Sequence, residues 1–177
     1  MNTIVINDNN ISDDSIHKYG NKVRALLLSD NKILVSNYGG VVLFPGGSID
    51  KDETAEVAIL RELHEETGII YDLSQLKKLL TIKYYQPNYP TRDNEIINRL
   101  IITNYYLGQY KGIDLNNVRR TEKEMKDNFN LQLINIDDLL LPSETLDNPR
   151  KGYFDRENQE VVKVLKKIRR KWFYEWK

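Results

Sequence analysis

Between Gly47 and Ile69 the chain puts acidic side chains where a folded helix needs apolar ones. Residues 54–67 hold no glycine or proline and are rich in alanine, leucine and glutamate, which favours helix. Gly68 follows as a helix stop. Successive helical residues turn by about 100°. On that wheel Ala55, Ala58, Ile59 and Leu63 form one apolar face, with Glu62 and Glu66 in its middle and Glu65 at its edge. A carboxylate on the core side of a helix is costly unless something compensates it. The small side chains of Ala55 and Ala58 leave space beside the acids. Three acids at i, i+3 and i+4 suit a hard cation with oxygen ligands, Mg2+ or Mn2+. The competing reading is a solvated acidic helix laced by i, i+4 ion pairs. Glu56 fits that reading; Glu62 and Glu66 do not, because solvated acids would lie opposite the apolar stripe.

The stretch also carries a longer pattern. Gly47, Glu53, Arg61, Glu62, Leu63, Glu65, Glu66, Gly68 and Ile69 fill every fixed slot of G-x5-E-x7-R-E-U-x-E-E-x-G-U, where U is a bulky aliphatic residue. In this the chain resembles the Nudix hydrolases, strongly over residues 20–140 and weakly outside them. The resemblance implies an α/β fold, the Nudix α/β/α sandwich with a mixed β-sheet. It implies that Glu62, Glu65 and Glu66 hold Mg2+ or Mn2+, with a backbone carbonyl at Gly47 as a further ligand. It also implies that Arg61 and Glu53 fasten the helix to the loop before it, Arg61 orienting acids without touching substrate. An ordinary exposed ion pair is the plainer account of Arg61.

The expected catalytic set is Glu65, Glu124, Arg61 and Glu53. Members of the family differ in their general base, and many draw it from well past the signature. Glu124 is the first choice here and Glu122 the second, both within residues 121–125. Glu65 itself is a third choice, and a solvent-facing glutamate on a short helix accounts for Glu122 or Glu124 equally well. Substrate selection is expected in residues 84–92. Tyr85 and Tyr89 offer rings to stack a base, and Arg92 a fork for phosphate. Gly46 lacks a Cβ, so the backbone there can approach a phosphate or metal closely. Tyr85 stands near a tyrosine of dinucleoside-polyphosphate hydrolases, and Pro87 near a proline of ADP-ribose hydrolases. An alternating strand with a proline turn explains both. His17 and His64 are read as structural.

The rest of the chain bounds the answer. Its 177 residues suffice for one domain with a core. Lys plus Arg and Asp plus Glu are 26 each, so overall charge points to neither nucleic acid nor an acidic membrane. There is no cysteine, which excludes disulfides, thiolate metal sites and a thiol nucleophile. No apolar run approaches the ~20 residues of a membrane span. The first residues lack the regions of a signal peptide, and the expected location is cytoplasmic.

Strands are expected over residues 22–28, 32–36, 41–44, 76–85, 96–107 and 131–136, with a loop over 86–94 and a short helix over 121–128. A second amphipathic helix is expected over residues 157–177, its stripe running through Val161, Val164, Leu165, Ile168, Trp172 and Trp176. It reads as a closing helix on the same domain, with a homodimer contact or a basic surface as rivals. The expected organisation is a polar lead-in over 1–20, a catalytic domain over 21–142 and an extension over 143–177. The expected function is divalent-metal-dependent hydrolysis of a pyrophosphate linkage in a nucleoside diphosphate joined to another moiety. The alternatives are clearance of damaged nucleoside triphosphates and a non-catalytic nucleotide sensor. The expected partner is a small-molecule nucleotide, not a membrane or a nucleic acid.

Overall fold

The architecture follows from one strand that alternates between two cores. This strand, β2 (Lys18–Ser29), lies near the middle of a seven-stranded mixed sheet in the computed structural model of the protein. Residues 2–38, 41–91, 93–119, 129–140 and 149–175 are described. Side chains of a strand point alternately to opposite faces. Val23, Ala25 and Leu27 face one hydrophobic cluster, completed by Ala58, Ile59 and Leu63 of helix α1 (Ala55–Thr67). Leu26 and Leu28 face the other cluster, completed by Val161, Val162 and Leu165 of helix α2 (Lys151–Glu175). The two helices therefore cover opposite faces of the sheet, the α/β/α sandwich the sequence predicts.

The remaining strands are β1 (Asn2–Ile6), β3 (Lys32–Tyr38), β4 (Val41–Leu43), β5 (Leu76–Pro90), β6 (Ile96–Gln109) and β7 (Asn130–Asn135). The order across the sheet is β1-β5-β6-β2-β3-β4, with β7 paired to β3. β1 with β5 and β2 with β6 run parallel; the other pairs are antiparallel.

Several expected boundaries move. The lead-in contains β1, and β2 starts at Lys18, four residues before its expected start at 22. The loop expected over 86–94 is mostly strand: β5 runs on to Pro90, with Tyr89 opposite Ile97 and Pro90 opposite Ile96. A register shift between Gln86 and Tyr89 absorbs Pro87, which has no N–H to give to a ladder. Helix α2 begins at Lys151, and Val162 joins its buried face while Val164 is only partly covered. The side chains of Trp172 and Trp176, and the short helix expected over 121–128, lie outside the described residues.

Candidate active site

Helix α1 is set between two fixed ends. At its start the Thr54 hydroxyl accepts from Val57 N at 3.3 Å, capping one of the free amides of the first turn. At its end Gly68 adopts φ 72°, the left-handed cap that glycine takes without strain. The chain after β6 meets the last carbonyls: Asp114 N donates to Thr67 O and Arg119 N to Glu65 O, both at 2.8 Å.

With α1 so placed, Glu66 is buried at 6% exposure and Glu62 nearly so. Each has a specific compensation. Glu66 Oε2 accepts from Gly46 N at 3.0 Å. Glu62 Oε1 accepts from Arg61 Nη1 at 2.9 Å. Burial raises the Glu62 carboxyl above its ordinary range; Arg61 opposes that rise and the charge of Glu65 adds to it.

Arg61 is the hub of the helix surface. Its Nε and Nη2 grip both oxygens of Glu53 at 2.8 and 2.9 Å, a two-pronged fork that lysine cannot copy. Its Nη1 reaches Glu62 and, at 3.3 Å, Glu65. Its Nη2 also reaches Ser48 O at 3.2 Å, in the loop between β4 and α1. Glu53 accepts from Asp50 N at 3.0 Å. The guanidinium, with that amide, holds the Glu53 carboxyl down at about 2. Arg61 and Glu53 thus fasten loop to helix, as the resemblance implies.

The glycine corner 46–47 completes the wall. Gly46 has φ 129°, and a Cβ there would run into the backbone of Val23. Arg24 Nη1 donates to the carbonyls of Gly46 and Phe44, so β2 grips the corner from beneath. A Cβ on Gly47 would overlap the Glu62 carboxylate. The Gly47 carbonyl accepts from Val23 N at 3.0 Å, leaving its second lone pair for a cation.

The donor set fits a hydrated divalent cation, not a closed cage. Among the described residues no three acidic, histidine or cysteine side chains form a ready metal cluster. Glu62 and Glu66 line the cleft beside Gly46 and Gly47, whereas Glu65, 39% exposed, does not line it and meets Arg61 instead. Mg2+ commonly keeps several waters and binds through one or two carboxylates plus substrate phosphates. Two carboxylates and a glycine corner match that habit.

The cleft has a volume of about 1430 Å³. Its lining also carries four cations, Lys22, Arg24, Arg99 and Arg150, and the acids Asp93 and Glu95. The Arg99 guanidinium lies over the Tyr89 ring at 3.1 Å from the centroid, with Arg150 at 5.8 Å from the same ring. Arg99 Nε donates to Gln86 Oε1 at 2.5 Å, and Arg150 Nε to Pro90 O at 3.1 Å. Phe129 and Phe154 supply apolar wall.

Of the residues expected from sequence, Gly46, Gly47, Glu62, Glu66 and Tyr89 meet at this cleft. Tyr85 does not: its hydroxyl donates to Asp13 at 2.8 Å, and it borders a separate, smaller hollow with Tyr84 and Tyr153. Arg92, Glu122 and Glu124 lie outside the described residues. His17 lines the cleft end, with Nδ1 accepting from Asn98 N at 3.2 Å. The cations Lys22, Arg24, Arg99 and Arg150 were not foreseen. A signal existed for three of them. Lys22 and Arg24 share the strand face of Leu26 and Leu28, and Arg99 that of Tyr105 and Leu107, so each is a charge at a core-facing position.

Comparisons with known proteins bear on the family and the fold. Residues 18–156 match the family model described as the NUDIX domain. An ADP-ribose pyrophosphatase from Methanocaldococcus jannaschii is 32% identical over 123 residues, covering 59% of this chain and 70% of that protein. An 8-oxo-dGTP diphosphatase from Proteus vulgaris is 46% identical over 55 residues, 31% of this chain; the match spans only 47% of that protein's length. Among solved structures, a MutT NUDIX hydrolase from Burkholderia pseudomallei aligns with TM-score 0.55 at 19% identity, covering 83% of this chain and 98% of that one. A NUDIX hydrolase from Nitrosomonas europaea aligns with TM-score 0.53 at 18% identity, covering 80% and 88%. At such identities the structural likeness speaks for the fold.

Proposed function

The chain belongs to the Nudix hydrolase family, and on that premise we propose that it hydrolyses a pyrophosphate linkage in a nucleotide, dependent on Mg2+ or Mn2+. The observation that carries this reading is one cleft lined both by two carboxylates, buried Glu66 and nearly buried Glu62, and by the cations Lys22, Arg24, Arg99 and Arg150. Such a cleft suits a ligand that is anionic and arrives with a divalent cation.

Glu62 and Glu66 would hold the cation, with the Gly47 carbonyl as a further oxygen donor. When bound, the cation would neutralise phosphate charge and make a water more acidic. Arg61 keeps Glu62 in place, and the Gly46 amide fixes Glu66. Arg24 holds the corner in the shape that lets a phosphate approach the backbone. In the reaction a water oxygen bonds to one phosphorus as the bridging P–O bond breaks. The electron pair leaves with the second phosphate, and the water's proton passes to a base. Glu65 and Glu124 are the bases we propose; Glu65 accepts from Arg61 Nη1 at 3.3 Å, one turn from Glu62 on the same helix.

A panel of nucleotides with Mg2+ or Mn2+, scored by released products, tests the reading. Cleavage between phosphates, abolished by a chelator, is the expected result. Release of no product from any nucleoside diphosphate derivative or triphosphate would leave a ligand-binding role in its place.

A further inference from the structure

The cations lining the cleft have an organisation that a diphosphate alone does not use. β2 and β6 run parallel, with Lys18 opposite Arg99, Lys22 opposite Thr103 and Arg24 opposite Tyr105. Arg24, Lys22 and Arg99 therefore stand on one sheet face at three successive levels leading away from the glycine corner. At about 3.3 Å per residue, Lys22 is roughly 7 Å of strand beyond Arg24, and the level of Arg99 roughly 13 Å beyond Lys22. Gly20 lies between those levels and lines the cleft; a Cβ there would stand 2.9 Å from Ile101 Cδ1. The floor between the cations is thus kept low.

The three cations are not equivalent. Arg24 is pinned by the carbonyls of Phe44 and Gly46, and Arg99 by Gln86 and the Tyr89 ring. Both are fixed charges. Lys22 differs: among the described residues its ammonium has no hydrogen-bond or ion-pair partner. Its electrostatic neighbours are Arg24 and Arg99, which repel it, and Glu157, which attracts it. The Glu157 carboxylate is buried and already accepts from Tyr105 OH at 2.8 Å. An ammonium with three free donors between two fixed guanidiniums is a point charge prepared for an anion.

We propose that Lys22, set between Arg24 and Arg99, binds a phosphate group beyond the scissile linkage, so that the preferred substrate carries a chain of three or more phosphates. This rests on the pyrophosphohydrolase reading and narrows it. A diphosphate bridging two uncharged groups would be used up at Glu62, Glu66 and the glycine corner and bring no phosphate to the Lys22 ammonium. A longer phosphate chain running from the glycine corner along the strand face brings a further negative charge to the level of Lys22, about 7 Å on. A nucleoside triphosphate and a dinucleoside tetraphosphate share this chemistry.

Two measurements test the proposal separately from catalysis. The first is calorimetric titration, in chelator, of the full chain with inorganic tripolyphosphate and with pyrophosphate. The parent should bind tripolyphosphate at least about 10-fold more tightly, one charged hydrogen bond being sufficient for that margin. Lys22→Met should erase the margin and Lys22→Arg should keep most of it. Equal affinity for the two anions, or a margin that survives in Lys22→Met with native circular dichroism, overturns the proposal. The second compares kcat/KM for a nucleoside triphosphate, a dinucleoside tetraphosphate and a nucleoside diphosphate sugar. Lys22→Met should lower the ratio of oligophosphate to diphosphate-sugar turnover by about 10-fold, through KM. A ratio left unchanged overturns it; the two oligophosphate arms distinguish the one-ended from the two-ended substrate. Lys22-dependent tripolyphosphate binding without hydrolysis of any compound would refute the pyrophosphohydrolase reading and leave the subsite standing.

Discussion

Arg61 shows how much one side chain organises. It spans Glu53, Glu62, Glu65 and the Ser48 carbonyl, so helix, preceding loop and cleft wall share a single fork. Arg61→Lys keeps the charge and loses the bidentate grip, so turnover should fall by about 10-fold or more with a smaller loss of stability. Steady-state kinetics and thermal melting on one preparation separate the two effects. The Glu53 carboxyl, at about 2 when folded against an ordinary 4.5, makes the linkage pH-dependent. Between those values the unfolded chain binds more protons than the folded one, so stability from this pair is full above about 4.5 and is lost as pH falls toward about 2. Urea titrations across that window should show a steep acid limb that Arg61→Met flattens. Lys22 runs the other way: burial, with Arg24 beside it, lowers its ammonium to about 8. Anion binding to that cation should weaken as pH rises through about 8, a trend that affinity measurements from pH 7 to 9 would reveal.

Helix α2 closes the second core. Val161, Val162 and Leu165 are buried against the sheet, Asn158 Nδ2 donates to Val42 O at 3.0 Å, and Tyr153 OH to Pro87 O at 2.6 Å. Leu165→Ala should cost about 2–5 kcal/mol of stability, read as a lower urea midpoint with metal affinity unchanged. Loss of under half a kilocalorie would mean that the helix only rests on the sheet. Legibility also divides by element. The α1 segment was readable because helical periodicity, the two acids on its apolar face and the closing Gly68 all agree. Strand β1 escaped because five residues with no local partner give almost no periodic signal, and it joins the sheet through distant β5. The far end of β5 escaped because Pro87, Asn88 and Pro90 read as a turn, while the sheet edge absorbs them with a bulge.

At the scale of the whole molecule, the fold brings charges of both signs to one cleft. Acids enter the cleft from α1 and cations from β2 and β6, because each sits on a core-facing position at the uncovered end of its element. The acids were legible, since a helix wheel exposes them and a family signature frames them. The cations were not, because an isolated lysine or arginine in a strand gives only its parity. Metal binding by the folded chain alone should raise the melting temperature in millimolar Mg2+ or Mn2+. Glu62→Gln and Glu66→Gln should abolish that rise. The central claim is that these two glutamates hold the cation that makes hydrolysis possible. The most direct test is turnover of Glu66→Gln and Glu62→Gln at saturating Mg2+, with native circular dichroism as control. Each should fall by at least about 10²-fold, since the lost electrostatic stabilisation amounts to several kcal/mol. Turnover within a factor of a few of the parent would contradict the account.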